Sequence, residues 1–249
     1  MGSQSDVQQD LYCGFALLAD SAPVRDALLK TAATVMNGWS PVSNAAVKTG
    51  SQNQYDWIAP VYDYLQGCLE LPVRHFRRDL WEHVGTGGLL EVGVGTGKNI
   101  RFHPADARVT AVDVSRGMLA RARLRARQTG SPLQLHVGDV HHLPYRDHSF
   151  DVAVATYVFF AVMDPITGLG EVRRVLRPGG RLLLLEHVVS ESRWLRALMR
   201  ALDPLSARIW GAHINRDTVS NVRAAGFVGV RTTNLALDVI RRIEAIAPG

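Results

Sequence analysis

The residues whose types and spacing could do chemistry begin with a glycine-rich loop, Gly93-Val-Gly-Thr-Gly97, which follows a short apolar run. It is not a Walker A phosphate loop, because Val92 stands where that motif needs a glycine and Asn99 where it needs Ser or Thr. It also departs from the dinucleotide fingerprint, since Lys98 occupies the usual place of the third glycine. Glycine lets a backbone approach a ligand closely, so the loop predicts a ligand slot that need not hold a pyrophosphate.

Two acidic residues follow the next two predicted strands. Asp113 ends the second strand, where a carboxylate can accept from both hydroxyls of a ribose. Asp139 follows the third strand, where it can accept from an adenine amino group or act only as a loop cap. Because open α/β sheets bind ligands at the carboxyl ends of their strands, the loop and both acids predict one nucleoside pocket.

The elements that position these residues alternate between short apolar strands and longer amphipathic helices. Strands are predicted over 89–92, 108–112, 133–137, 151–155 and 181–186. Ser115 caps a helix before the third strand, and a later helix over 166–176 ends at Arg177-Pro-Gly-Gly. This alternation, with unbroken apolar strands, predicts an α/β fold with a doubly wound, mostly parallel sheet covered on both faces.

The domain organisation is predicted in three parts. Residues 1–50 form an N-terminal helical appendage and linker, residues 51–86 a helical lid, and residues 87–249 the ligand-binding domain. A substrate-side insertion is expected near residues 190–217. The appendage carries apolar pairs, which we expect to pack over the mouth of the site or against a second chain as a homodimer. A loosely attached tail is the alternative.

Composition narrows the function classes for this chain of 249 residues, 47% of them hydrophobic. The net charge is +5, but the basic residues are scattered among acids, so neither a nucleic-acid module nor a basic stripe is predicted. Weak attraction to anionic lipid surfaces stays open. Two cysteines favour a reducing compartment, and we expect a cytoplasmic protein without a membrane-spanning helix.

Five motifs stand in a fixed order along the chain. They are Leu-Glu-Val-Gly-Val-Gly-Thr-Gly, Val-Asp-Val-Ser-x-x-Met-Leu, Gly-Asp-Val-x-x-Leu-Pro-Tyr, Ser-Phe-Asp-Val-Ala-Val-Ala and Val-Leu-Arg-Pro-Gly-Gly. In this order and spacing, over about residues 55–247, the chain resembles class I S-adenosylmethionine-dependent methyltransferases. The resemblance implies a Rossmann-like, seven-stranded sheet and S-adenosylmethionine as the cofactor.

Two further segments resemble particular branches of that class. Residues 55–63 are similar to the N-terminal segment of ubiquinone/menaquinone and phosphatidylethanolamine methyltransferases. The tail, from Glu186-His187-Val through Asp203-Pro204 to Gly211-Ala-His213-Ile-Asn-Arg-Asp-Thr218, resembles the thiol methyltransferase-like branch.

The resemblance also implies which residues bind the cofactor. They are Tyr55, Tyr62, Glu91, Gly93, Gly95, Gly97, Asp113, Val114, Met118, Asp139, Val140 and Thr156. The three glycines would line the methionine part, with Glu91 near its amino group, and Asp113 would hold the ribose. Val114 and Met118 would flank the adenine, whose edge the pair 139–140 would read. Thr156 and Tyr157 would face the sulfonium, and the two early tyrosines would cover the cofactor.

Methyl transfer needs alignment and exclusion of water more than a catalytic triad. The catalytic candidates are His187 and His213, as bases for an acceptor that arrives protonated, and Tyr157. We expect the cleft to be lined by Tyr157, Phe159, Phe160, His187 and His213. The remaining histidines near 136–148 lack the spacing of a zinc site, so no metal is expected.

Three acceptor classes compete for this site. An apolar wall with few charges predicts a small neutral or amphipathic acceptor, with a thiol sulfur narrowly favoured over nitrogen and ring carbon. A phospholipid amine or a quinone carbon is the alternative, and a macromolecule such as tRNA or protein is disfavoured.

Overall fold

A computed structural model describes residues 74–190, 216–236 and 239–249. The predicted appendage (1–50) lies outside these residues, as do most of the predicted lid and most of the 190–217 insertion. Tyr55, Tyr62 and His213 fall in these parts, so nothing is added here to their predicted roles.

A seven-stranded sheet forms the centre of the described chain, with strand order β3-β2-β1-β4-β5-β7-β6. The strands are β1 (Gly88–Val92), β2 (Arg108–Asp113), β3 (Gln134–Val137), β4 (Phe150–Thr156), β5 (Leu176–His187), β6 (Val228–Ala236) and β7 (Ile240–Ile246). Strands β1 to β5 pair in parallel, while β7 runs antiparallel to both β5 and β6. The predicted mostly parallel, seven-stranded α/β fold is therefore confirmed.

Four helices and one 3-10 turn complete the described elements. The helices are α1 (Arg74–Glu82), α2 (Arg116–Thr129), α3 (Pro165–Val175) and α4 (Thr218–Ala224), and the 3-10 turn is Ile100–Phe102. The Ser115 side chain accepts from the Met118 amide and so caps α2, which ends at Gly130 in the left-handed conformation. Within the described residues, no helix is long and apolar enough to cross a bilayer.

The hydrophobic core occupies both faces of the sheet. On one face, α3 and α4 contribute Leu169, Val172 and Val222, which are fully buried against β4 and β5. On the other, α1 places Leu80 and Trp81 against Leu183 and neighbouring strand residues. Burial of apolar side chains on both faces fixes the strand ends rigidly, and the loops that follow them carry the site.

One strand begins earlier than the sequence indicates. The Arg177-Pro-Gly-Gly segment is predicted to lie before the fifth strand, but β5 already begins at Leu176, which pairs with Phe150. The register then shifts between Phe150 and Val152. Proline and glycine are tolerated there because a bulge at a strand start does not need every ladder hydrogen bond.

Candidate active site

The carboxyl ends of β1, β2, β4 and β5 bring the predicted site residues to one edge of the sheet. The glycine loop follows β1, Asp113 ends β2, Thr156 ends β4 and is followed by residues 157–160, and His187 ends β5. This is the edge at which open α/β sheets bind their ligands.

The glycine loop is held in a shape that only glycine adopts readily. Gly93, Gly95 and Gly97 all have positive φ, at 68°, 55° and 83°. A Cβ on Gly97 would lie 3.0 Å from the Cα of Ala122, so this glycine is needed for close packing against α2. Among the described residues, a Cβ on Gly95 would meet no atom within 4 Å, so the backbone here borders space that a ligand can occupy.

Backbone amides in and near the glycine loop orient the Asp113 carboxylate. Its Oδ2 accepts from the Gly95 amide at 2.8 Å, and its Oδ1 accepts from the Ser115 amide at 2.9 Å. The carboxylate of β2 and the glycine loop of β1 are therefore neighbours, as a shared ribose and methionine site requires. Contact of Asp113 with the ribose stays a prediction.

The predicted adenine side combines buried and accessible residues. Met118 is buried under the start of α2, while Val114 is partly exposed beside it. Val140 is also partly exposed and packs against the core near Gly168. Partial burial raises the pKa of Asp139, but hydrogen bonds from His141 outweigh burial and hold that pKa below its usual value.

A buried polar network lies behind the glycine loop. Asn99 Nδ2 donates to Glu91 Oε1 at 2.7 Å and to Thr156 Oγ1 at 2.8 Å. Arg77 Nη1 donates to Asn99 Oδ1 at 2.9 Å and to the same threonine oxygen at 2.8 Å. The second oxygen of Glu91 lies 2.9 Å from His103 Nε2. The network ties α1 to β1 and β4, which sets the base of the site.

This network bears on two of the predicted cofactor contacts. Glu91 is fully buried and Thr156 is 6% exposed, and both side chains hydrogen-bond Asn99. In this structure their side chains take part in the polar network beside the glycine loop, and their direct contacts with the cofactor stay predictions. Sequence reasoning missed Arg77 and His103, because their partners are far away in the chain.

An aromatic cluster lies at the ends of β4 and β5. The rings of Tyr157 and His187 stack with centroids 4.7 Å apart, and Phe160 meets His187 edge-on at 6.0 Å. The Arg77 guanidinium lies over the Tyr157 ring, 5.0 Å from its centroid, which is a cation–π contact. Three of the five residues predicted to line the cleft are thus together.

Phe159 is the exception, and its predicted place in the cleft wall is wrong. Its side chain is 0% exposed and belongs to the core cluster on the α3 face. The reason is the sharp turn after β4, where Tyr157 has a φ of 57°. That turn directs successive side chains to different sides, so Phe160 joins the cluster and Phe159 the core.

The two titratable residues at the end of β5 are strongly perturbed. Burial lowers the pKa of His187 to about 4, with a further lowering from the positive charge of Arg77. Burial raises the pKa of Glu186 to about 7, against the opposing effect of backbone amides at 158–160. The sequence assigns no role to Glu186. An acidic residue directly after four leucines of a central strand was nevertheless a signal of a functional position.

A cleft of about 590 Å³ lies at the opposite, amino-terminal edge of the sheet. It is bordered by the starts of β1, β2 and β4, including Gly88, Arg108 and Asp151. Asp151 already pairs with Arg177 and accepts from the Gly88 amide at 2.7 Å. None of the predicted site residues lies there, so the candidate site is the carboxyl edge.

Comparison with known proteins places the chain in a family. Residues 90–184 match the methyltransferase domain family. Phosphatidylethanolamine N-methyltransferase of Cereibacter sphaeroides is 35% identical over 147 residues, which cover 57% of this chain and 70% of that protein. The chain belongs to the class I S-adenosylmethionine-dependent methyltransferases. It is accordingly a methyltransferase, and S-adenosylmethionine is its cofactor.

Other relatives of the methyltransferase have different acceptors in their names. Thiol S-methyltransferase TMT1B of Rattus norvegicus is 36% identical over 149 residues, covering 57% of this chain and 61% of that protein. Demethylmenaquinone methyltransferase of Chlamydia pneumoniae is 39% identical over 138 residues, covering 53% and 59%. The chain thus spans about three fifths of the length of these two relatives.

Two solved structures share the fold of the methyltransferase at low sequence identity. The [4+2]-cyclase SpnF is 19% identical with a TM-score of 0.62, covering 79% of this chain and 94% of that chain. An N-methyltransferase of Haemonchus contortus, solved with phosphomonomethylethanolamine and S-adenosylhomocysteine, is 16% identical with a TM-score of 0.62, covering 84% and 62%.

The residues at the carboxyl edge fit the cofactor of this family. The open space in front of Gly95 adjoins the oriented carboxylate of Asp113, so a backbone slot and a hydroxyl acceptor lie side by side. Among the described residues, no group of three His, Cys, Asp or Glu is placed to hold a metal ion.

Proposed function

We propose that this methyltransferase acts on the sulfur of a small neutral or amphipathic thiol. The observation that carries the proposal is the cluster of Tyr157, Phe160 and His187 at the substrate side of the cofactor edge. A face built from aromatic rings favours an apolar or amphipathic acceptor over a highly charged one.

The ionisation of His187 favours sulfur over nitrogen or oxygen acceptors. With a pKa of about 4, His187 is neutral near pH 7 and is too weak a base to deprotonate an amine or a hydroxyl efficiently. A thiol needs little help, because it ionises close to neutral pH. His213, the other base candidate, stays a prediction.

The contribution of the protein is then positional. When bound, the cofactor supplies the activated methyl group. The aromatic cluster orients the acceptor sulfur toward the glycine loop and excludes water from the line of transfer. The thiol S-methyltransferase relative, at 36% identity, supports this acceptor class.

A phospholipid amine or a quinone carbon is the second candidate. It is favoured by two apolar side chains at the same edge of the sheet, Met163 at 68% exposed and Ile166 at 43% exposed. Both lie at or just before the start of α3, where they could contact a lipid-like substrate. A relative with each of these activities in its name supports this alternative.

The experiment is a measurement of S-adenosylmethionine consumption with one acceptor at a time. We expect turnover with dithiothreitol in buffer alone, rising with pH as the thiol ionises. Phosphatidylethanolamine vesicles and a demethylated quinone in detergent test the second candidate, and unmodified tRNA tests the macromolecular class. Turnover with vesicles or quinone, and none with a thiol at any pH, would overturn the sulfur proposal.

The remaining partner predictions need their own measurements. Scattered basic residues lead us to propose no nucleic-acid partner, which a gel-shift assay with tRNA and duplex DNA would check. Vesicle co-sedimentation would test contact with anionic lipid surfaces. Removal of residues 1–50, followed by measurement of oligomeric state and turnover, would test whether the appendage forms a homodimer or packs over the mouth of the site.

A further inference from the structure

The turn after β4 has a backbone conformation that needs support. Tyr157 has a φ of 57°, and among the described non-glycine residues only His148 shares a positive φ. L-residues adopt this region rarely, because the Cβ crowds the neighbouring carbonyl. Such a conformation persists only where surrounding contacts over-determine it.

The support comes from the side chain of Glu186, one residue before the end of β5. Its Oε1 accepts from the amides of Val158 and Phe159, each at 2.9 Å. The Tyr157 amide donates to the Leu185 carbonyl at 2.8 Å, so the strand ladder continues up to the turn. Successive amides that converge on one anion form a nest, a backbone shape that a buried carboxylate can hold.

The turn that Glu186 holds touches both sides of the active site. It sets the Tyr157 ring against His187 and under the guanidinium of Arg77. It also presses Val158 against the glycine loop, since a Cβ on Gly93 would lie only 2.4 Å from Val158 Cγ2. A movement of the turn would therefore shift the substrate-side rings and the cofactor loop together.

Glu186 is itself inaccessible to substrate. It is 0% exposed, and among the described residues its Oε2 makes no hydrogen bond. Among the described residues, the charged or titratable groups on neighbouring elements include His187 on β5, Tyr157 after β4, and Arg77 on α1. They also include Arg241 on β7, which is the register partner of Glu186. A carboxyl group in this position acts on the reaction only through the backbone that it holds.

We propose that Glu186 is a positioning residue of the methyltransferase, whose buried carboxylate fixes the 157–160 turn and thereby the substrate-side wall of the active site. The proposal rests on the methyltransferase activity of the family and not on the choice of a thiol acceptor. Because burial raises the pKa of Glu186 to about 7, the charge that holds the turn changes within an experimentally convenient range.

The first experiment follows the amides of Val158 and Phe159 in the wild-type protein by ¹⁵N–¹H NMR as pH is varied. We expect both to titrate with a midpoint near pH 7, because the carboxylate that they donate to gains its proton there. In Glu186→Gln the titration should vanish. Amides that do not titrate in the wild type, or that still titrate in Glu186→Gln, would overturn the proposal.

Glu171 provides a matched control for this measurement. Its Oε2 accepts from the Leu143 amide at 3.0 Å, but a side-chain hydrogen bond from Arg174 holds its pKa below the usual range. The Leu143 amide should therefore show the same pH dependence near pH 7 in the wild type and in Glu171→Gln. The wild-type titration needs no variant, so a failure of Glu186→Gln to fold would not remove the test.

The second experiment measures kcat and KM with dithiothreitol, together with S-adenosylmethionine affinity by calorimetry. Glu186→Gln mimics the protonated residue, so its kcat should be about tenfold lower than wild type above neutral pH, with a smaller loss of S-adenosylmethionine affinity through the contact of Val158 with the glycine loop. The two proteins should converge below neutral pH, while Glu171→Gln follows the wild type throughout. Equal losses of affinity and kcat at every pH would show a merely structural role and overturn the proposal.

The two proposals fail in distinguishable ways. Absence of wild-type turnover with dithiothreitol would contradict the thiol acceptor, and the kinetic comparison would then use whichever acceptor the consumption screen identifies. The NMR titration needs no acceptor, so its outcome decides the role of Glu186 independently.

Discussion

His187 is placed so that its protonation should oppose folding. It ends β5, stacks on Tyr157 with ring centroids 4.7 Å apart, and is partly exposed. Burial, with the nearby charge of Arg77, lowers its pKa from 6.5 to about 4. The folded protein therefore resists binding a proton that the unfolded chain accepts readily.

The sign and size of the effect follow from that difference. Between about pH 6.5 and about pH 4 the unfolded chain binds one more proton at this residue, so stability is lost as pH falls. The full shift corresponds to on the order of 3 kcal/mol, at about 1.4 kcal/mol for each pH unit. Between about pH 7.5 and about pH 5 the loss amounts to on the order of 2 kcal/mol, which partial solvent exposure reduces.

The variant His187→Phe removes the titration and keeps an aromatic ring for stacking. Urea unfolding of both proteins, at about pH 7.5 and about pH 5, gives the free energy of unfolding at each pH. The stability of the variant relative to wild type should be on the order of 2 kcal/mol more favourable at the lower pH. Other titrating groups cancel in this comparison because both proteins contain them.

Glu186→Gln is the matched control, because its effect has the opposite sign. The raised pKa of Glu186 makes the wild type lose stability as pH rises from about 4.5 to about 7. This variant should therefore gain relative stability at the higher pH. A His187→Phe difference that is the same at both pH values, or that shifts in the direction of Glu186→Gln, would refute the assignment of a neutral, desolvated imidazole at β5.

Three further predictions concern the cofactor edge and its supporting helix. Asp113→Ala should weaken S-adenosylmethionine binding by about 2–4 kcal/mol in a calorimetric titration, since charge-assisted hydrogen bonds are lost, and unchanged affinity would exclude Asp113 from the ribose site. Gly97→Ala should lower the free energy of unfolding by about 1–3 kcal/mol, because its Cβ would lie 3.0 Å from the Ala122 backbone at a φ of 83°. Arg174→Met should lower the free energy of unfolding by about 1–3 kcal/mol, since Arg174 donates to two backbone carbonyls and two carboxylates. Arg173 is exposed, so Arg173→Met should leave the free energy of unfolding nearly unchanged in the same urea assay.

The strands that the sequence located are those with continuous apolar runs. Residues 89–92 and 151–155 agree closely with β1 and β4, because a strand buried on both faces cannot carry many polar residues. The last two strands of the chain are harder to place. In β6 most residues are exposed, and β7 carries Arg241 and Arg242 within its seven residues, so neither has a clear apolar pattern.

The site residues likewise divide into those that the sequence could predict and those that it could not. The glycine loop and Asp113 were predictable as neighbours, because both end adjacent strands of one sheet, and Asp113 does accept from the Gly95 amide. The contact of Arg77 with Thr156 could not be predicted, because the local sequence of a helix does not indicate which distant strand an arginine side chain will reach. The left-handed turn at Tyr157 was also hidden, since a tyrosine gives no signal for positive φ.

The position of β7 between β5 and β6 has a consequence for the order of assembly. Among the described strands, β6 pairs only with β7, so it joins the sheet through this later neighbour. Strands β6 and β7 are close in the chain and can form their hairpin locally. Pairing of β7 with β5 requires closure of a much longer loop. The pair should behave as one cooperative foldon, which opens and closes together in hydrogen exchange. Weakening the ladder between β5 and β7 would then release both strands from the methyltransferase core, while β1 to β4 keep their pairing.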